Sequence, residues 1–221
     1  MGAFKSSLAP WALGIFVVFS APAHAQTDPA SQIAPVLPAG ATVNLMTSEG
    51  MALLGGEWRN MDARIVEVPA MEREVDTWPT TYDIDPHAGE SDYDDSDWPV
   101  IAAEDLAGRR GGGRIFFTWY RTTLTIPEKI GDFETAGSAV VIDLTVDDYA
   151  EVWVNGELPR SAGRPSPGAI QGFNMPNRIL LSEEVSPGDK FDIAVFGING
   201  PISLTPLNTV WFRHARLEFI P

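Results

Sequence analysis

The chain has 221 residues, with 30 Asp and Glu against 15 Lys and Arg, for a formal net charge of -15. Such a surface repels phosphate backbones and anionic lipid headgroups, whose binding depends on Lys and Arg neutralising negative charge, so nucleic acid and membrane surfaces are poor partners. Without a single Cys there is no disulfide framework, no thiol catalysis and no thiolate metal site, and packing alone must hold the fold.

At the N-terminus one charge, Lys5, precedes the apolar run Leu8 to Phe19, and the small-residue site Ala23-His24-Ala25 follows. The run is too short to cross a bilayer and Pro10 interrupts it, so residues 1–25 read as a bacterial signal peptide rather than an anchor. The mature protein is then expected in the periplasm or secreted, beginning at Gln26. Residues 26–40 are rich in Pro and Ala without an apolar period, which predicts an exposed, flexible leader. The remaining stretch, 41–221, is long enough for one domain whose core buries about 70% of the unfolded chain's surface.

From Ala41 onward, β-branched and aromatic runs alternate with Gly, Pro, Asn and Asp, and no stretch carries three turns of amphipathic helix. The predicted strands are Ala63 to Val68, Ile115 to Ile126, Ala139 to Val146, Ala150 to Asn155, Arg178 to Leu181, Phe191 to Phe196 and Val210 to Phe219. With 20 Gly and 18 Pro for turns, the expected fold class is all-β: two antiparallel sheets face to face in a β-sandwich. Alternation puts Ala150, Val152 and Val154 on a core face, and Glu151, Trp153 and Asn155 on the opposite one. In the second strand Tyr120 and Leu124 oppose Trp119 and Arg121, and neither face is plainly polar. That pattern fits a central strand covered on both sides.

Asp83, Asp85, Glu90, Asp92, Asp94, Asp95 and Asp97 crowd one segment that contains no Lys or Arg. Asp92, Asp94, Asp95 and Asp97 are candidate oxygen ligands for a structural Ca²⁺, although no Gly stands at the sharp turn of an EF-hand loop. A solvated acidic loop is the expected role and Ca²⁺ the alternative; no other cofactor is expected. His87 in the same segment is a weak transition-metal signal. Arg109, Arg110 and Arg114 around Gly111 to Gly113 suit a local anion, but a charged turn leading into a strand is the simpler reading.

Aromatic rings stack on the C–H faces of sugars while amides, carboxylates and Arg read the hydroxyls. Trp119 with Arg121, and Trp153 with Glu151 and Asn155, are same-face sets of that kind. Packing beneath loops is the competing role for both tryptophans. Asn174, Asn177, Arg178, Asn199 and Asn208 are further polar candidates, with turn chemistry as the competing role for the asparagines.

After signal removal only His87 and His214 remain, and there is no G-x-S-x-G elbow, so a Ser-His-Asp hydrolase is not expected. His214, inside the last predicted strand, is expected to be a hydrogen-bonded sheet residue. A pair of carboxylates performing glycoside hydrolysis remains a lesser alternative in so acidic a chain.

Four segments occur in a telling order: Tyr93 to Trp98 (YDDSDW), Trp119-Tyr120-Arg121 running to Ile126-Pro127, Val146 to Gly156 (VDDYAEVWVNG), and Pro187 to Val195 (PGDKFDIAV). In that order they resemble the galactose-binding-like jelly-roll modules found beside glycoside hydrolase catalytic domains. More narrowly, Trp58 to Phe219 is similar to the module that precedes gluconolactonase/regucalcin-type propellers in some bacterial proteins, through Gly172 to Arg178 (GFNMPNR) and Phe196 to Pro201 (FGINGP). No propeller segment follows up to Pro221, so lactonase activity does not carry over. The resemblance implies a β-sandwich with a sugar-binding or domain-docking role. The expected function is thus an exported, non-catalytic carbohydrate-binding or accessory module with a saccharide as partner. The alternative is an interaction domain that docks a separately encoded sugar lactonase or glycoside hydrolase.

Overall fold

Strand alternation buries one side chain in two, and the fold follows from matching two such faces. The computed structural model describes residues 38–69, 81–113, 115–158, 174–199 and 208–221. The expected signal peptide with Ala23-His24-Ala25, nearly all of the leader, Arg114, and the pairs Gly172-Phe173 and Gly200-Pro201 lie outside the described residues.

The first half supplies strands β1 (Ala41–Asn44), β2 (Trp58–Asp62), β3 (Arg64–Val68), β4 (Thr81–Asp85), β5 (Val100–Ile101), β6 (Arg110–Gly113) and β7 (Phe117–Thr125). The second half supplies β8 (Lys129–Ile130), β9 (Phe133–Glu134), β10 (Ala139–Asp147), β11 (Tyr149–Val154), β12 (Asn177–Ser182), β13 (Lys190–Ile198) and β14 (Asn208–Ile220). One six-residue helix, α1 (Ser48–Leu53), starts at Thr47, whose Oγ1 accepts from the Gly50 N–H at 3.2 Å.

Two antiparallel sheets form the sandwich. The first runs β1-β14-β10-β12, with β6 pairing a further stretch of β14; the second runs β11-β13-β7-β2-β5. From β10 onward the chain alternates between the sheets, with β10, β12 and β14 in the first and β11 and β13 in the second. The strands β3 and β4 form a separate two-stranded ribbon.

Val140, Ile142, Leu144, Leu217 and Phe219 of the first sheet meet Trp58, Tyr120, Leu124, Ile193 and Val195 of the second in one continuous core. Burying such side chains contributes roughly 1.5–3 kcal/mol each, which is what replaces covalent staples here. Each predicted strand is present, with ends displaced by no more than two residues. As expected, β7 lies between β13 and β2, and both Trp119 and Tyr120 are buried. The strand β2 has no alternating apolar signature because one of its core-facing residues is Asn60. That amide is satisfied by donating to Thr118 Oγ1 at 2.7 Å and to the Trp119 carbonyl at 2.9 Å.

Candidate functional site

A second, smaller apolar cluster lies on the outer face of the second sheet, where Trp119, Ala194 and Phe196 are covered by Ala88 and Trp98. Strand register sets its pattern. Glu151, Phe196, Trp119 and Met61 stand in one row across β11, β13, β7 and β2, while Trp153, Ala194, Arg121 and Arg59 stand in the next. Alternation therefore places Glu151 and Trp153 on the outer face, and Ala150, Val152 and Val154 against the core, as the sequence predicts.

The acidic segment folds down onto this face because two arginines hold it. Arg121, only 6% exposed, donates through Nε to Asp95 Oδ2 at 2.8 Å and through Nη1 to the Glu90 carbonyl at 3.1 Å and the Ala88 carbonyl. Arg59 donates to the Ser96 carbonyl at 2.9 Å and the Trp98 carbonyl at 3.2 Å. The segment has no cation of its own in sequence, but the sheet beneath provides two. Arg121 is thereby committed to holding the segment rather than reading a ligand.

Between segment and sheet opens a cleft of about 530 Å³, lined by Asp83, His87, Gly89, Glu90 and Pro86 above and by Trp119, Phe196, Glu151 and Trp153 below. Its size falls within the range of small-molecule sites. Trp119 is a buried floor, with its indole N–H donating to the Pro86 carbonyl at 2.9 Å and its ring 4.7 Å from that of Phe196. Trp153 is half-buried. Gly89 touches its ring so closely that a Cβ there would lie 2.5 Å from Cδ2, and Gly156 approaches the Ser91 backbone equally tightly. Any larger residue at position 89 would push the segment off the ring.

Burial raises the Glu151 carboxyl above the usual glutamate value, opposed only by a hydrogen bond from Trp153 Nε1 at 3.4 Å. Asp83 Oδ2 meets His87 Nε2 at 2.9 Å on the opposite rim. Among the described residues the hydrogen-bond partner of each histidine is a carboxylate, Asp83 for His87 and Asp143 for His214, and no serine joins either pair. The cleft offers aromatic surface, three carboxylates that accept hydrogen bonds when ionised, and one imidazole.

The other candidates lie elsewhere. Asn155 stands beyond the end of β11 at φ 50°, forming with Gly156 (φ 80°) the left-handed turn expected of an Asn-Gly hairpin. Its Oδ1 accepts from the Asp192 N–H at 2.9 Å, so it does not share the face of Trp153 and Glu151. Asn174 accepts from Arg213 Nε at 3.0 Å, Asn177 is buried at the start of β12, and Asn199 donates to the Thr209 carbonyl. Arg178 is paired with Glu218 and Asp143 on the outer face of the first sheet. Asn208 opens β14, and its side chain lies outside the described residues. Of the calcium candidates, Asp92, Asp94 and Asp97 are exposed, Asp95 pairs with Arg121, and Asp94 Oδ1 accepts from the Ser96 N–H at 3.0 Å. Among the described residues no group of three or more His, Asp or Glu side chains is arranged around a common metal position.

Sequence reasoning selected Trp119, Glu151 and Trp153 and left out Gly89, Phe196, Asp83 and Glu90 as their neighbours. Phe196 carried a signal in its alternation with Val195. Gly89 carried none, because its role is a tertiary approach.

No protein-family model matches the chain, and comparison with curated proteins gives no match. Among solved structures, the chain is similar to a calcium-binding mutant of Bacteroides uniformis beta-glucuronidase 2 (TM-score 0.48, 17% identity), covering 82% of this chain and 18% of that one. A beta-glycosidase from Bacteroides vulgatus matches with a TM-score of 0.46 and 19% identity over 81% of this chain and 20% of that one. The chain thus spans about a fifth of the length of these two proteins. The resemblance to modules preceding gluconolactonase-type propellers finds no support in these comparisons.

Proposed function

We propose that this chain is a non-catalytic carbohydrate-binding module of an exported bacterial protein, with the cleft beside Trp153 as its site. The observation that carries this reading is the convergence of Trp153, Trp119 and Glu151 with Asp83 and Glu90 in one open cleft. An aromatic wall beside hydrogen-bonding carboxylates matches a sugar's apolar C–H face and its ring of hydroxyl donors. Export rests on the N-terminal pattern from Lys5 to Ala25.

An open site leaves much of a ligand wet, so affinities in the millimolar to micromolar range, about -4 to -8 kcal/mol, are expected. A glycan array followed by calorimetry tests this, with chromatography of the recovered oligosaccharide to show that it is unchanged. Cleavage products would replace the reading with a carboxylate-based hydrolase. The docking alternative draws on one observation, the ribbon of β3 and β4, which leaves Ile65 46% and Tyr82 63% exposed. Absence of saccharide binding together with loss of an enzyme partner in Tyr82→Ser would favour it.

A further inference from the structure

Among the described residues the carboxylates of Asp143, Glu218 and Asp95 face cations. Asp143 receives Arg216 Nη2 at 2.7 Å, His214 Nε2 at 3.1 Å and Arg178 Nη1 at 3.4 Å. Glu218 meets Arg178 at 2.5 Å and Arg216 at 2.9 Å, and Asp95 meets Arg121 at 2.8 Å. Glu151 differs: among the described residues it forms no ion pair, and its hydrogen bond from Trp153 is longer than a normal one. A half-buried carboxylate left so costs free energy until a cation or strong donor reaches it.

The rest of the lining sharpens the requirement. Asp83 and Glu90 add two further carboxylates, which when ionised only accept hydrogen bonds. Both indole N–H groups are already engaged, that of Trp119 by Pro86 and that of Trp153 by Glu151. Among the described residues neither Lys nor Arg lines the cleft, and the one basic side chain there, His87, is occupied by Asp83. That lining favours a ligand rich in donors and opposes an anion. A positive charge would be paired by Glu151 and attracted by the π-face of an adjacent indole at once.

Resting on the saccharide reading of this cleft, we propose that its ligand is an amino sugar, whose ammonium group meets Glu151 beside Trp153 while its hydroxyls donate to Asp83 and Glu90. A rigid ring with an apolar face uses the aromatic wall, which a flexible lysine chain would cover only at the cost of several rotamers.

The test compares four probes by calorimetry at neutral pH and low salt: tetraglucosamine, cellotetraose, tetragalacturonate and a lysine tetrapeptide. Wild type is expected to bind tetraglucosamine at least about tenfold more tightly than cellotetraose, a difference of about 1.4 kcal/mol, and tetragalacturonate not measurably. Glu151→Gln, which keeps shape and one acceptor, should remove most of that preference, lowering tetraglucosamine affinity by a larger factor than cellotetraose affinity. Equal affinity for the amino and neutral tetramers, or an unchanged preference in Glu151→Gln, overturns the amino-sugar assignment and leaves the saccharide site standing. A lysine tetrapeptide that binds as tightly as tetraglucosamine overturns the sugar part of it. Failure of every saccharide to bind overturns both.

Discussion

Arg121 and Asp95 form an ion pair, Nε to Oδ2 at 2.8 Å, that joins the central strand of the second sheet to the acidic segment above it. The arginine side chain is 7% exposed and the aspartate 27%. Arg121→Ala would leave that carboxylate and two backbone carbonyls without their donor, and should cost about 3 kcal/mol in urea unfolding. Because the segment forms the upper wall of the cleft, saccharide affinity should fall with it. An unchanged unfolding midpoint would show that the segment is held by other contacts.

Gly89 marks the closest approach of that wall to the sheet. Gly89→Ala puts a Cβ about 2.5 Å from the Trp153 ring, so ring or segment must move. A loss of about 1–3 kcal/mol is expected from overpacking, with a change in Trp153 fluorescence. Wild-type stability and an unaltered spectrum would contradict the contact.

Glu151 makes stability depend on pH with a defined sign. Burial raises its folded-state pKa, opposed by the Trp153 hydrogen bond. The folded state therefore holds its proton more tightly than the unfolded state does. The corresponding stability is fully present below the ordinary glutamate value of 4.5 and is lost as pH rises through the higher folded value. Glu151→Gln should raise the melting temperature at neutral pH, and the gap should close on acidification. A gap that widens in acid would mean that the carboxylate is stabilised in its charged form.

Asp143 behaves in the opposite way. Burial alone would raise its pKa, but hydrogen bonds from His214 and Arg216 hold it below the usual aspartate value. Its contribution is present above the unfolded value of 3.8 and disappears as pH falls through the lower folded one. Asp143→Asn should destabilise by about 1–2 kcal/mol at neutral pH, a modest figure because Arg216 and His214 are partly solvated. The same loss at every pH down to strongly acidic conditions would show that packing, not charge, is responsible.

Strand alternation made most of the sandwich legible, because Val140 to Val146 or Phe191 to Val195 can bury one face in only one way. The strand β2 escaped because Asn60 occupies one of its core positions, and β1, β5 and β6 because they are short. In the cleft, Trp153 and Glu151 were legible as neighbours on one outer face. Their opposite wall was not, since it depends on Arg121 and Arg59 pulling down a segment more than twenty residues distant in sequence. The same pairing explains why Arg121 and Asp95, attractive separately as ligand reader and calcium ligand, are each other's partners.

The most direct test of the site follows the indole N–H signals of the six tryptophans beyond the expected signal peptide by nitrogen–proton correlation spectroscopy during saccharide titration. Trp153→Phe assigns the key resonance. The Trp153 signal should move most, because its hydrogen bond to Glu151 is long and lies in the cleft. Trp119 should move less, and Trp58 not at all, since its indole N–H is buried against the Leu45 carbonyl at 2.9 Å. Saturable shifts led by Trp153 are the predicted result; binding with Trp153 unmoved, or with the largest shift at Trp211 on the other sheet, would contradict a saccharide site in this cleft.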